Sequence, residues 1–156
     1  MGSGLPCSIR NLFFVIKLAF FCTGVLAQSL ANNRPQPMQA AAFDAAIAPY
    51  VAEARKSFPA AKSRFLQGLP ADEAFFVTVQ LKDAKGRSER VFIRVVEMRG
   101  TIVSGSIAND IFLVDGFKAG QKYSADESEI LDWLIAKPDG SEEGNFVGKF
   151  LDTYKP

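Results

Sequence analysis

The apolar positions change their spacing several times along the chain. From Leu12 to Leu26 they form an almost unbroken run, split by Lys17. Residues 28–43 are polar and alanine-rich, with Asn32, Asn33, Pro35 and Pro37 and few large apolar groups, so they read as a flexible linker. Phe43, Ile47, Tyr50, Val51, Ala54 and Phe58 then recur at spacings of three and four, which places them on one helical stripe. Pro49 is compatible with that helix only near its start, because an interior proline clashes with the preceding turn. Pro59 suits the first position of a second short helix ending near Gly68, with Phe65 and Leu66 facing inward.

At Ala74 the period becomes two. Phe75, Val77, Val79 and Leu81 alternate with Phe76, Thr78, Gln80 and Lys82, the pattern of a half-buried strand. Asp83-Ala-Lys-Gly86 supplies a turn into a return strand, Ser88 to Met98, with Val91, Ile93 and Val95 on one face and Phe92, Arg94, Val96 and Met98 on the other. Arg99-Gly100 turns into a third strand, Thr101 to Ala108, completing an antiparallel meander. A loop over Ile111–Gly120 leads to short strands at Gln121–Ala125 and Ile130–Ala136. A turn at Pro138–Ser141 then precedes a closing helix, Asn145–Tyr154. The expected fold is α+β: N-terminal helices packed on a five-stranded, mostly antiparallel sheet, with a C-terminal helix, all within residues 44–156.

Composition changes this picture mainly at the start of the chain. Arg10 precedes the apolar run and Val25-Leu26-Ala27 ends it, so residues 1–27 read as a signal peptide cleaved after Ala27. The run is short for the ~20 residues of a spanning helix, so no stable membrane span is expected after cleavage, although a retained anchor is the alternative. The expected location is periplasmic or secreted. Cys22 lacks a small residue before it for lipidation, and Pro6 stands where a myristoylation signal needs Ser or Thr. Cys7 and Cys22 both lie in the signal, so the exported body is free of cysteine and, like the whole chain, of histidine. It must hold together through its apolar core rather than by disulfides. Losing Arg10 and Lys17 takes the basic count from 18 to 16 against 17 acidic residues, so the formal charge passes from +1 to −1. Without a single-sign block, no nucleic-acid surface is expected. Arg87, Arg90, Arg94 and Arg99 read as solvated edge charge.

The missing residue types exclude Ser-His-Asp and Cys-His nucleophile systems and the usual zinc sites. No glycine-rich phosphate loop joins a strand to a helix. No cofactor and no metal are expected. Asp110, Asp115, Asp126, Glu127, Glu129 and Asp132 could in principle supply a carboxylate pair, but solvated loop acids explain most of them. Asp139–Asn145 has oxygen ligands yet fails calcium-loop spacing. Asp132 stands apart, because it interrupts the apolar strand Ile130-Leu-Asp-Trp-Leu-Ile135 and a carboxylate there must find donors or protonate. Loop amides could satisfy it, or it could border a binding cleft walled by Trp133.

Phe75-x-Val77, Asp83-x-x-Gly86, Gly105-Ser-Ile-Ala-Asn109, Lys118-x-Gly-Gln-x-Tyr123, Glu129-Ile-Leu-Asp-Trp133 and Gly144-x-Phe146 together resemble the bacterial family known as domain of unknown function 2314. The resemblance covers about residues 50–153. It departs at the second strand, where Phe92 or a neighbour stands in place of a common tryptophan. It implies no substrate, cofactor or catalytic residue.

The leading expectation is a non-enzymatic exported domain that binds an unknown protein or envelope component, with Gly105, Asn109, Glu129, Asp132 and Trp133 as candidate binding residues. An inhibitor or immunity-type protein of the envelope is the second reading. A carboxylate-dependent hydrolase using Asp132 and Glu129 is the third.

Overall fold

A computed structural model describes residues 37–154. The expected signal peptide and the linker before Pro37 lie outside the described residues.

Helix α1 runs unbroken from Pro37 to Gln67, reaching back into the segment read as linker. Ile47, Ala54, Phe58 and Ala61 are buried on one stripe, with Phe43, Val51 and Phe65 half-buried along it. The expected break into two helices does not occur, because both prolines are tolerated inside α1. Each removes one amide and frees the carbonyl four residues earlier. Pro49 and Pro59, and Ala45 and Arg55 at those earlier positions, are all exposed, so water can satisfy what the helix loses.

Strand β1 (Ala74–Lys82) follows the expected alternation, with Phe75, Val77, Val79 and Leu81 each about 1% exposed. It pairs with β2 (Ser88–Arg99), and β3 (Ile102–Ile107) completes the meander. A bulge between Val95 and Glu97 shifts the phase of β2 by one residue. Met98 therefore joins the buried face with Val91, Ile93 and Val95, a correction to the uniform alternation expected, and Val96 is left 72% exposed.

After β4 (Lys122–Asp126) the chain crosses the sheet through a single 3-10 turn, Glu127–Glu129, to β5 (Asp132–Ala136) beside β1. A sixth strand, β6 (Glu142–Gly144), was not expected; the turn after β5 closes a hairpin instead of leading directly into a helix. Helix α2 spans only Phe146–Leu151. The sheet order is β4-β3-β2-β1-β5-β6, with every neighbouring pair antiparallel.

Ala54, Phe58 and Ala61 of α1 join the buried residues of β1, β2, β3 and β5 in one core cluster. Burying a phenyl ring such as Phe58 or Phe75 stabilises by about 1.5–3 kcal/mol. Polar contacts fix α1 over the crossover: Arg55 Nε donates to Ile130 O at 2.9 Å, and Lys62 pairs with Glu127. Ile111 and Val114 seat the long β3–β4 loop against the same core. Among the described residues no helix is long and apolar enough to cross a membrane.

Candidate functional site

Asp132 opens β5 and is only 2% exposed. Its Oδ1 accepts Trp133 N at 2.8 Å and its Oδ2 accepts Val147 N at 2.7 Å. The carboxylate thus ties the first turn of α2 to the sheet. Burial pushes its pKa up, and the amides of Val147, Trp133, Phe146 and Gly148 counteract that only in part.

Trp133 is equally enclosed, at 8% exposure. Its Nε1 donates to Ala54 O and Ser57 Oγ, both at 3.1 Å, while its ring stacks on Phe75 and meets Phe146 edge-on. Gly144 lies against it so tightly that an added Cβ would sit 2.3 Å from Trp133 O. Asp132 and Trp133 border a closed core rather than a cleft.

The other expected site residues have local partners. Glu129 Oε2 accepts Asp126 N at 2.9 Å, closing the capping box of the 3-10 turn. Asn109 Oδ1 accepts Phe92 N at 2.8 Å and its Nδ2 donates to Asp110 O at 2.9 Å, which fixes the start of the β3–β4 loop. Gly105 stands where β3 approaches β2, and a Cβ there would lie 2.0 Å from Arg94 O. Of the five, the structure brings only Asp132 and Trp133 together. Two surface grooves, about 360 and 470 Å³, are lined by other residues.

The loop that Asn109 starts holds an arrangement that the pattern reading passed over. Ile111-Phe112-Leu113-Val114 is an apolar quartet inside a loop. Its outer members are packed, with Val114 5% exposed and Ile111 half-buried, while Phe112 is 82% and Leu113 49% exposed. The backbone between them is held by one side chain from β2. Glu89 accepts Phe112 N at 3.0 Å, Leu113 N at 2.7 Å and Val114 N at 3.3 Å. Three successive amides converging on one carboxylate form a tight anion nest.

A second clasp holds the far side of the loop. Asp83, in the β1–β2 turn, accepts Asp115 N at 3.2 Å and pairs with Arg87, while Asp115 itself pairs with Lys85 and Arg87. Burial alone would raise the Asp83 carboxyl. The amides of Asp115, Arg87 and Lys85 and the Arg87 guanidinium outweigh it and lower the pKa to about 2. Hydrogen bonds from Lys85 and Arg87 lower that of Asp115 as well. Phe112 and Leu113 are therefore displayed on a backbone anchored from two sides. The sequence signal that could have found them is an apolar quartet bounded by Asp110 and Asp115 where a loop is otherwise polar.

This arrangement defines a small antiparallel α+β domain that displays an apolar loop. The family model described as "Uncharacterized protein conserved in bacteria (DUF2314)" matches residues 44–152, and the chain belongs to that family. No curated protein and no solved structure matches the chain.

Proposed function

We propose that the chain is an exported, non-enzymatic interaction domain that binds a protein partner of the bacterial envelope through its β3–β4 loop. One observation carries the reading: Phe112 is 82% exposed on a backbone whose amides are fixed by Glu89. The Glu89 carboxylate helps seat Val114 in the core, but the Phe112 side chain it holds in water adds nothing to that core. A prearranged apolar anchor is what a binding surface requires, because ordering has already occurred before the partner arrives. The export part of the proposal rests on the basic, apolar and small-residue order of residues 1–27.

The hydrolase reading gains no support, since both oxygens of Asp132 serve amides of its own chain and Glu129 caps a turn. An inhibitor or immunity role is a narrower form of the interaction reading, distinguished by the partner's identity.

The test is made in cells producing the full chain, with a photo-crosslinking amino acid placed singly at Phe112, Lys56, Lys122 or Lys149. The expected result is a discrete protein adduct on a chain whose mass begins at Gln28. No adduct from any position would reject the interaction reading. An intact Met1 on a cytosolic product would reject export.

A further inference from the structure

The geometry points to Phe112 and Leu113 acting as a side-chain plug for an apolar pocket on a protein partner whose pocket rim is basic. This rests on the interaction reading above and specifies what the partner must offer.

Three features of the loop select that occupant. The first is where its backbone points. The amides of Phe112, Leu113 and Val114 all turn inward to Glu89, whereas extended backbone sends successive amides to opposite sides. With its donors spent, this segment cannot add as a strand to a sheet edge, nor lie extended in a protease cleft that pairs with substrate backbone. Recognition must come through side chains.

The second feature is charge. The four carboxylates of Asp83, Glu89, Asp110 and Asp115 outnumber the three cations of Lys85, Arg87 and the loop's own Lys118. Apolar groups that dock on a bilayer are usually accompanied by basic residues that meet anionic headgroups. An acidic surround opposes that and suits a basic rim.

The third feature is rigidity. Ile111 and Val114 are packed into the core on either side of the two exposed residues, and the Asp83–Arg87–Asp115 clasp fixes the segment beyond them. The plug is held outward instead of folding back onto the protein's own surface.

The experiment uses the protein cross-linked through position 112, identified and purified, and titrated with the uncrosslinked mature chain. Phe112→Ser should weaken binding about 30-fold, the scale of an interface anchor, and Leu113→Ser about tenfold. Val96→Ser is the control. Val96 is also exposed, at 72%, but lies seven residues along β2 from Glu89, about 23 Å away, so affinity should not change. Circular dichroism confirms that each variant is folded.

Phe112→Ser binding the partner within about twofold of the wild type would overturn the inference. So would adducts that form from Lys56, Lys122 or Lys149 but never from position 112, although the interaction reading would then survive. Co-sedimentation with phosphatidylethanolamine–phosphatidylglycerol vesicles that Phe112→Ser abolishes would overturn it in favour of a bilayer. Self-association in sedimentation velocity that the same substitution abolishes would overturn it in favour of a second copy.

Discussion

Replacing Asp132 by Asn tests how a charge can sit in this core. The substitution keeps the side chain's shape but replaces one acceptor oxygen with an NH2 group. In the wild type the two oxygens have separate duties, Oδ1 to Trp133 N and Oδ2 to Val147 N. Asn can serve only one of them, so one buried amide loses its acceptor and faces a second donor. Leaving a buried donor unsatisfied costs about 1–3 kcal/mol. Against this, Asn removes a charge whose burial is unfavourable, and that offsets part of the loss at neutral pH. The expected net destabilisation near pH 7 is about 1–2 kcal/mol, or a fall in Tm of roughly 4–10 °C for a domain of this size.

The dependence on pH discriminates more sharply than the magnitude. Because burial raises the folded pKa of Asp132 above its ordinary 3.8, the folded protein keeps this proton over a range where the unfolded chain has released it. Its contribution to wild-type stability is therefore full below that range and declines as pH rises through it. Asn does not titrate. The stability gap between wild type and Asp132→Asn should be widest in acid and narrow toward neutrality. Urea unfolding of both proteins across about pH 4 to pH 7 measures that gap directly. A gap that widens with pH would refute the reasoning, because the amides would then outweigh burial and hold the carboxylate ionised.

Two further predictions concern the frame around the site. Gly144→Ala would place a methyl 2.3 Å from Trp133 O and 2.8 Å from its ring, at a backbone φ of +73° that side chains disfavour. A loss of about 3 kcal/mol or more is expected, read from melting and from the fluorescence of the sole tryptophan, and a loss below about 1 kcal/mol would contradict the packing described. Asp83 and Asp126 both have folded pKa values of about 2 against an ordinary 3.8. For Asp126 the causes are the Thr101 hydroxyl and then the amide and hydroxyl of Ser128. Their stabilisation is present above about pH 4 and disappears as pH falls toward about 2, so stability differences between wild type and Asp83→Asn or Asp126→Asn should close over that interval in acid titrations followed by circular dichroism.

What could be read from the sequence was local periodicity. The stripe from Phe43 to Phe58, except Tyr50 at 37% exposure, and the alternation from Phe75 to Leu81 reappear as the buried faces of α1 and β1, because a packed face imposes its own spacing on the residues that fill it. What stayed hidden depends on distant or solvent-facing groups. The continuity of α1 through Pro49 and Pro59 depends on water reaching carbonyls at exposed positions, which no propensity rule records. The phase of Met98 depends on a bulge that the sequence around Val96 does not announce. Strand β6 has three residues and no apolar alternation, and it exists because β5 offers it an edge.

The two anomalies of the sequence resolve in opposite ways, and that contrast supports the functional reading. Asp132 breaks the pattern as a carboxylate within an apolar strand, which the sequence makes conspicuous. Its partners turn out to be amides of the same chain, so the anomaly is settled inside the fold. Phe112 breaks it as an aromatic residue at a loop's surface, less conspicuous because four apolar letters in a loop can as easily pack as protrude. Ile111 and Val114 do pack, while Glu89 takes the backbone amides and leaves the phenyl ring outside. Native sequences tolerate such conflicts mainly where function requires them. A conflict satisfied within the chain explains stability; one left open on a rigid loop, with nothing among the described residues to cover it, is where a second molecule has something to gain.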